Sequence, residues 1–174
     1  MGNPGAMYSK QLYKIGLRVA IYLSDGAGLA LKQKGYQGFS GVCRVSGHEE
    51  TTLLPQTYMN RSGDSVAPAC QSLGIKPGDL IVVHDEIDLA FGCLRIKVGG
   101  GHGGHNGLRS IAAALGESGY NRLRMGVGRP PAGGDVSGHV LSRFNAAESV
   151  LLEKYIETET DALELLLNKG AKEG

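Results

Sequence analysis

The sequence predicts a single-domain α/β protein, a three-layer sandwich in which a twisted, mostly parallel mixed sheet carries helices on both faces. Two observations indicate this. Leu80–Val83 is an uninterrupted apolar run of strand length, which is typical of a strand buried on both faces. Stretches with helical apolar spacing lie between this run and other β-rich runs, so strands and helices alternate along the chain. We expect one domain over residues 1–174.

The elements before the buried run are less regular. Residues 1–14 contain a Gly/Pro turn and a polar loop, and a short helical pattern follows them. Tyr36–Val45 alternates loosely and contains glycines, as an outer strand does. The β-rich run Thr51–Leu54 closes at Pro55, so a second strand is predicted there.

Helices and strands then alternate to the end of the chain. The predicted elements are a helix over Asn60–Leu73 that stops at Gly74, a strand over Cys93–Val98, a helix over Asn106–Leu115, a strand over Leu123–Val127 and a helix from about Asn145 to Lys169. Val66, Cys70 and Leu73 share one face of the first helix. Asn145 and Glu148 have the spacing of a capping box at the start of the last.

Composition bounds the function. The 174 residues can bury a core without disulfides or metal. Lys and Arg number 18 against 17 acidic residues, so any site for a polyanion must be a local cluster. Cys43, Cys70 and Cys93 are odd in number and lie in apolar contexts typical of buried residues, which favours a reducing cytoplasm. No run reaches the roughly 18 apolar residues of a membrane span, so we expect no membrane association.

The stretch from Gly99 to Gly107 is the strongest local signal. Five of the six residues at 99–104 are glycines, which persist where the backbone must bend sharply or approach a ligand closely. The stretch therefore predicts a binding loop, with a mobile linker as the alternative. Asn106 follows where a helix begins, and its amide can either cap that helix or reach outward.

Three polar clusters are predicted to meet in one site. They are His84-Asp85-Glu86 after the buried strand, the glycine loop after Val98, and Tyr58-Met59-Asn60 before a helix. Ligands of α/β sheets bind outside the carboxyl ends of the strands, where these clusters are expected to lie.

Five motifs together resemble bacterial peptidyl-tRNA hydrolase over almost the whole chain. They are Gly2-Asn3-Pro4-Gly5, Tyr58-Met59-Asn60-Arg61-Ser62-Gly63, Val83-His84-Asp85-Glu86-Ile87-Asp88-Leu89, the glycine loop and Arg122-Leu123-Arg124-Met125-Gly126-Val127-Gly128. The resemblance implies cleavage of the ester between a stalled peptide and its tRNA, by a monomeric enzyme without metal or other cofactor.

The resemblance also implies roles for individual residues. Asp85 would orient and charge-stabilise a catalytic histidine that acts as general base on water, with a helix cap or a loop brace as the alternative. Asn3, Asn60 and Asn106 would hold the peptide and the scissile ester, and one of them could contact an oxyanion.

Binding of the tRNA is assigned to aromatic and basic side chains. Tyr8 and Tyr58 match positions near the tRNA 3′ end, where a flat ring can stack on a base, although core packing is the simpler alternative. Lys97 and Arg124 match positions near the acceptor stem. Further candidates for phosphate contacts are Arg109, Arg122 and Arg129, with a solvated charged face as the alternative.

The chain departs from the family pattern near its start. Where the family has Thr-Arg-His-Asn-Xaa-Gly, this chain reads Gln11-Leu12-Tyr13-Lys14-Ile15-Gly16, so Tyr13 occupies the position of the catalytic histidine. A phenol is mostly protonated at pH 7 and is a poor general base, unless Lys14 stabilises a phenolate. Relatives also carry an apolar strand before Gly-Asn-Pro-Gly, whereas Met1 directly precedes Gly2 here, so we expect that strand to be missing, through truncation or a misassigned start.

Two other functions compete with hydrolysis. His102 and His105, with His84 and Asp85 nearby, could bind a metal, but a glycine-rich loop is a loose frame for one. The glycines lack the Lys-Ser/Thr of a phosphate-binding loop and the context of a dinucleotide fingerprint. A relative that binds RNA without hydrolysing it is the stronger rival, and substrate turnover would distinguish the two.

Overall fold

The computed structural model describes residues 16, 33–45, 48–140, 142, 145–152, 154–156 and 158. The predictions for Asn3, Tyr8 and Tyr13, and for the strand missing before Gly2, lie outside the described residues.

The first sheet is an antiparallel meander. Its strands are β1 (Gln33–Gly35), β2 (Gly38–Val45) and β3 (His48–Pro55), in the order β1-β2-β3. The predicted outer strand therefore starts two residues later than expected, because Tyr36 and Gln37 form the turn from β1, with φ of 51° and 52°. Positive φ at both central residues is typical of the tight turn that matches strand twist.

The second sheet is mixed and carries the site. It consists of β4 (Ile81–Glu86), β5 (Leu94–Val98) and β6 (Asn121–Gly126), in the order β4-β6-β5. β4 and β6 are parallel, whereas β5 runs antiparallel to β6. The mixed α/β fold is confirmed. The sheet was expected to be mostly parallel, whereas among the described strand pairs β4–β6 is parallel and the others are antiparallel. The short segment between β4 and β5 explains this, because a parallel return needs a crossover of about a dozen residues.

Helices cover the predicted segments closely. A 3-10 turn over Met59–Arg61 leads into α1 (Gly63–Leu73), which ends at Gly74 with φ of 68°. A second 3-10 turn, Pro77–Asp79, introduces β4. α2 (Asn106–Leu115) follows the glycine loop, and α3 is the short helix Val136–Val140.

The start of the last helix is confirmed. The Glu148 backbone N–H donates to Asn145 Oδ1 and the Asn145 N–H donates to a Glu148 carboxylate oxygen, both at 2.8 Å. Helical residues follow within 146–158, and the predicted end at Lys169 lies outside the described residues. None of the described helices is long and apolar enough to cross a membrane.

The second sheet is packed on both faces, as predicted. Val82 contributes to a core with α1 and α2, whose other buried members are Val66, Cys70, Leu108, Ile111 and Tyr120. Its neighbour Val83 points to the other side and packs on a core with the last helix, formed by Met125, Val127, Leu152, Tyr155 and Ile156. Alternation along β4 thus places successive valines in different cores.

Two expectations of burial are wrong in detail. Cys93 is exposed just before β5, although Cys70 is buried as predicted; the side chain of Cys43 is outside the described part of the chain. Leu73 lies in the last turn of α1 and is 45 % exposed, because the helix ends before its face meets the core.

Gly63→Ala should destabilise the protein because α1 crosses α2 at this glycine. A Cβ on Gly63 would overlap the Ser110 carbonyl oxygen and lie 2.7 Å from Ala114 Cβ. We expect a loss of about 1–3 kcal/mol in the free energy of unfolding, measured by urea denaturation. Gly78→Ala is the matched control, since a Cβ there meets nothing within 4 Å. Equal stability of the two variants would contradict this account of the helix contact.

Candidate active site

A cleft of about 870 Å³ opens at the carboxyl end of β4. The structure brings Tyr58, Asn60, Asp85 and Asn106 to its walls, which are the described members of the predicted site. Its other lining residues come from the first 3-10 turn, the end of β4 and the turn after it, the glycine loop, α2 and α3, namely Met59, Glu86, Ile87, His102, Gly103, Gly104, His105, Arg109, Val136 and Ser137. The three predicted polar clusters therefore form one site, whereas Lys97 and Arg124 do not line it.

His105 links the glycine loop to Asp85. Its Nε2 lies 3.1 Å from Asp85 Oδ1, and its Nδ1 accepts hydrogen bonds from the backbone N–H groups of Gly107 and Leu108. Because a backbone N–H can only donate, Nδ1 must carry the lone pair and Nε2 the proton of the neutral ring. His105 therefore donates to Asp85 and caps α2 with the same imidazole.

This geometry decides between the two alternatives for Asn106. The capping residue of α2 is His105, and Asn106 is the first helical residue instead of the cap. His105 is also unsuited to act as a base in this arrangement, since neither ring nitrogen offers a free lone pair to a water. The sequence placed His105 next to a helix start, but capping residues are usually Ser, Thr, Asp or Asn, so its role was missed.

Asp85 is a buried carboxylate held in its charged form. Burial raises the pKa of Asp85, but the hydrogen bond from His105, the two neighbouring imidazoles and a backbone hydrogen bond together lower it more, so its pKa lies below the usual range. The side chain is 7 % exposed, so its negative charge is poorly screened by water. The site thus contains a fixed anion at its floor.

His84 is a buried neutral imidazole beside this pair. Its Nδ1 donates to the backbone carbonyl of Asp85 at 2.7 Å, and its ring meets the His105 ring edge-on with centroids 4.9 Å apart. Burial and the neighbouring His105 lower the pKa of His84 to about 3. His84 therefore supports the Asp85 backbone without adding charge.

The two asparagines are carried by elements that touch each other. Asn60 lies in the 3-10 turn, where Ser62 Oγ donates to the Met59 carbonyl at 2.8 Å. The Gly63 N–H donates to Ser110 Oγ of α2 at 2.9 Å, which ties this turn to the helix that begins with Asn106. Both amides are consequently held at one wall of the cleft.

The side chains of Asn106 and Tyr58 are available to a ligand. Arg109 Nη2 donates to Asn106 Oδ1, so the Asn106 amide nitrogen is left to donate into the cleft. Tyr58 is 63 % exposed, which rules out the alternative that it packs in the core.

The basic candidates separate into different environments. Arg122 is 3 % exposed and donates to carbonyls of the glycine loop, so the prediction that it contacts phosphate is wrong because water and ligands cannot reach it. Arg124 pairs with Glu86 at 2.9 Å, and Arg129 pairs with Asp88. Lys97 is exposed on β5, and its Nζ lies near Gly100.

The metal alternative gains no support from the described residues. They contain no group of three or more His, Cys, Asp or Glu side chains that could hold an ion. Both nitrogens of His105 are occupied by hydrogen bonds, and His84 uses Nδ1 on a carbonyl.

His84→Asn should reduce the loss in free energy of unfolding that occurs as the pH falls below neutrality. The unfolded histidine titrates near 6.5 and the folded one near 3, so unfolding takes up a proton, and stability present above pH 6.5 is lost as the pH falls. Between pH 7 and pH 5 this one group should cost about 2 kcal/mol, which the variant should not lose. Urea denaturation at both pH values measures the difference, with the exposed His102→Asn as control. Equal pH slopes in wild type and His84→Asn would show that His84 is not the group responsible.

Comparisons with known proteins agree with this fold and site. The family model for peptidyl-tRNA hydrolase matches residues 1–174. A peptidyl-tRNA hydrolase of Syntrophotalea carbinolica is 52 % identical over 173 residues, covering 99 % of this chain and 91 % of the relative. One of Mycolicibacterium smegmatis is 42 % identical, covering 98 % and 90 %.

Solved structures lead to the same family. The crystal structure of peptidyl-tRNA hydrolase from Acinetobacter baumannii is 39 % identical and superimposes with a TM-score of 0.91, covering 99 % of this chain and 88 % of that one. A peptidyl-tRNA hydrolase in complex with N-propanol gives a TM-score of 0.92 at 38 % identity, covering 99 % and 88 %. With these relatives, the family match over its whole length and the cleft at the end of β4, this chain belongs to the peptidyl-tRNA hydrolase family.

Proposed function

We propose that this chain hydrolyses the ester bond between peptide and tRNA in peptidyl-tRNA and so recycles tRNA from stalled translation. The observation that carries this is the buried Asp85 carboxylate, which shares a cleft with the amides of Asn60 and Asn106. An ester carbonyl needs a donor, a peptide N–H needs an acceptor, and a base that takes a proton from water needs an anion to stabilise the positive charge it acquires. These three requirements correspond to side chains on the walls of this cleft.

Each residue has a defined part in this proposal. Asn106 donates its amide N–H to the scissile carbonyl, since Arg109 already occupies its oxygen. Asn60 binds the peptide backbone, and Asn3 from the Gly-Asn-Pro-Gly motif completes the peptide contacts. Asp85 accepts a hydrogen bond from the group that takes a proton from water. Tyr58, with Tyr8, stacks on bases at the 3′ end of the tRNA.

The proposed hydrolysis needs a group that accepts a proton from water, and this chain has a poor base at the matching position. Tyr13 stands at the matching position of the family motif, and a phenol is mostly protonated at neutral pH, so it is a poor base. His105 cannot replace it while its Nδ1 caps α2 and its Nε2 donates to Asp85. Slow hydrolysis with intact substrate binding is the expected behaviour.

Tyr13→His should raise the rate of hydrolysis by about 10²–10⁴, the usual effect of a positioned general base. A neutral imidazole accepts a proton at pH 7, whereas a phenol does not. The gain should depend on Asp85, so the Tyr13→His, Asp85→Asn double variant should lose most of it. Single-turnover hydrolysis of a blocked aminoacyl-tRNA by wild type, both single variants and the double variant measures this coupling.

Two outcomes would contradict this reading of Tyr13. A wild type as fast as Tyr13→His would mean that another group is the base. A folded Tyr13→His variant that binds tRNA and shows no turnover would favour the RNA-binding alternative over the hydrolase.

Exposed cations near the glycine loop are the candidates for binding the tRNA. Lys97 is the exposed cation closest to the glycine loop among those matched to the acceptor stem, and Arg124 could join it only by sharing its charge with Glu86. We infer action as a monomer in the cytoplasm, without metal or other cofactor.

Lys97→Ala should weaken tRNA binding and reduce the salt slope of log K by about one, because each phosphate contact releases about one counterion. Arg124→Ala should have a smaller effect, since Glu86 already neutralises its guanidinium. Binding titrations over a range of salt concentrations measure both slopes. Lys34→Ala is the control, because Lys34 is exposed on β1 of the other sheet. A slope unchanged by Lys97→Ala would remove Lys97 from the tRNA surface.

A further inference from the structure

Arg122 is a buried cation directly beneath the glycine loop. It lies on β6, is 3 % exposed, and its Nη1 donates to the Gly101 carbonyl at 2.8 Å while its Nη2 donates to the Gly99 carbonyl. One planar guanidinium thus holds two carbonyls of the same loop. Arginine suits this role because its donors have a fixed fork geometry.

The loop is shaped to meet this guanidinium. Gly99 and Gly100 have φ of 59° and 90°, a conformation that side chains rarely adopt. A Cβ on Gly100 would lie 3.1 Å from Arg122 Nη2 and 3.1 Å from Lys97 Cε. The backbone therefore passes over Arg122 at a distance that leaves no room for a side chain.

The far end of the same loop reaches the candidate active site. The His105 N–H donates to the His102 carbonyl at 2.9 Å, and the His105 ring donates to Asp85. The segment between Gly99 and Asn106 is consequently fixed at two places, by Arg122 where it leaves β5 and by Asp85 where it enters α2.

Burying the charged Arg122 side chain costs the fold hydration free energy. The ion pairs found among the described residues do not include it, so its charge is met by carbonyl dipoles alone. A buried cation without a carboxylate loses its hydration for a limited return, and an apolar side chain would occupy the same space at lower cost. This points to a requirement for the loop conformation itself.

We propose that Arg122 is a positioning residue: by holding the Gly99 and Gly101 carbonyls from below, it sets the path of the loop and aligns His105 and Asn106 with Asp85. The benefit of this alignment for hydrolysis rests on the proposed function, but the alignment can be measured without substrate.

The direct test replaces the guanidinium with Arg122→Met and Arg122→Lys. Nitrogen NMR of the imidazoles should show a single Nε2–H tautomer of His105 in wild type and exchange between tautomers in Arg122→Met. Amide hydrogen exchange at His105 and Leu108 should become at least about tenfold faster relative to the core residue Leu123. Arg122→Lys retains the charge and a single donor nitrogen without the fork geometry, so its values should fall between those of wild type and Arg122→Met.

Kinetics provide a second measurement. In the active Tyr13→His background, Arg122→Met should lower kcat on the order of 10²-fold, the usual cost of a misplaced catalytic group, while tRNA affinity changes less than threefold. A purely structural arginine would lower the melting temperature and leave the kcat of the folded fraction unchanged.

Gly100→Ala tests the same contact from the loop side and retains the arginine, so the test does not depend on whether Arg122→Met folds. It should reproduce the faster exchange at His105. Gly92→Ala is the matched control, because Gly92 has φ of 85° but a Cβ there meets nothing within 4 Å.

The outcomes distinguish this inference from the proposed function. An unchanged His105 tautomer and unchanged amide exchange in both Arg122→Met and Gly100→Ala would overturn the positioning role. If His105 responds as expected but neither wild type nor Tyr13→His hydrolyses the substrate, the positioning role stands and the hydrolase proposal fails.

Discussion

The site depends on one imidazole that makes hydrogen bonds in two directions. His105 gives its Nε2 proton to Asp85 and takes the first backbone N–H groups of α2 on Nδ1. The imidazole ring of His105 thereby connects the start of α2, the end of the glycine loop and the charged Asp85 at the base of the cleft. If either hydrogen bond of His105 were lost, the ring would be free to rotate or to adopt the other tautomer, and the remaining hydrogen bond would be weakened. The two contacts therefore stabilise each other.

The buried charges around this ring follow from the same arrangement. Asp85 remains ionised although it is buried, because His105 donates to it, and His84 remains neutral, because its ring is buried between a carbonyl and another imidazole. The site therefore combines one fixed anion with uncharged donors. The Asp85 anion therefore favours a chemical group that becomes positively charged during the reaction over a group that is already positively charged and carries its own counterion.

Much of the fold could be predicted from the sequence because the signals were local. The buried run of β4, the glycine that ends α1 and the capping box at Asn145 each depend on a few neighbouring residues. The direction of β5 was not predictable in that way, since it depends on which strand lies beside it in the sheet. The convergence of Asn60, Asp85 and Asn106 was predicted from the rule for strand ends, but β5 ends at the amino end of β4, so it is the path of the glycine loop that brings Asn106 back to Asp85. The roles of these residues remain proposals.

Side-chain partners were the part that the sequence could not supply. Arg122 and Lys97 both read as surface cations in a basic stretch, yet one is buried under a loop and the other is exposed. The alternation of β6 places residue 122 toward the glycine loop, and that fact requires the register of the sheet. His105 posed the same difficulty, because its three partners come from α2 and β4.

The contact between Gly63 and Ser110 has a consequence for the choice of ligand. Asn60 and Asn106 are carried by elements that meet at this contact, where a Cβ on Gly63 would overlap the Ser110 carbonyl. The contact therefore fixes the spacing of the two backbone segments, and a ligand that binds both asparagines must be compatible with that spacing. Rigid compounds that carry two amide partners at that spacing would lose little conformational entropy on binding, whereas flexible ones would lose more for the same contacts.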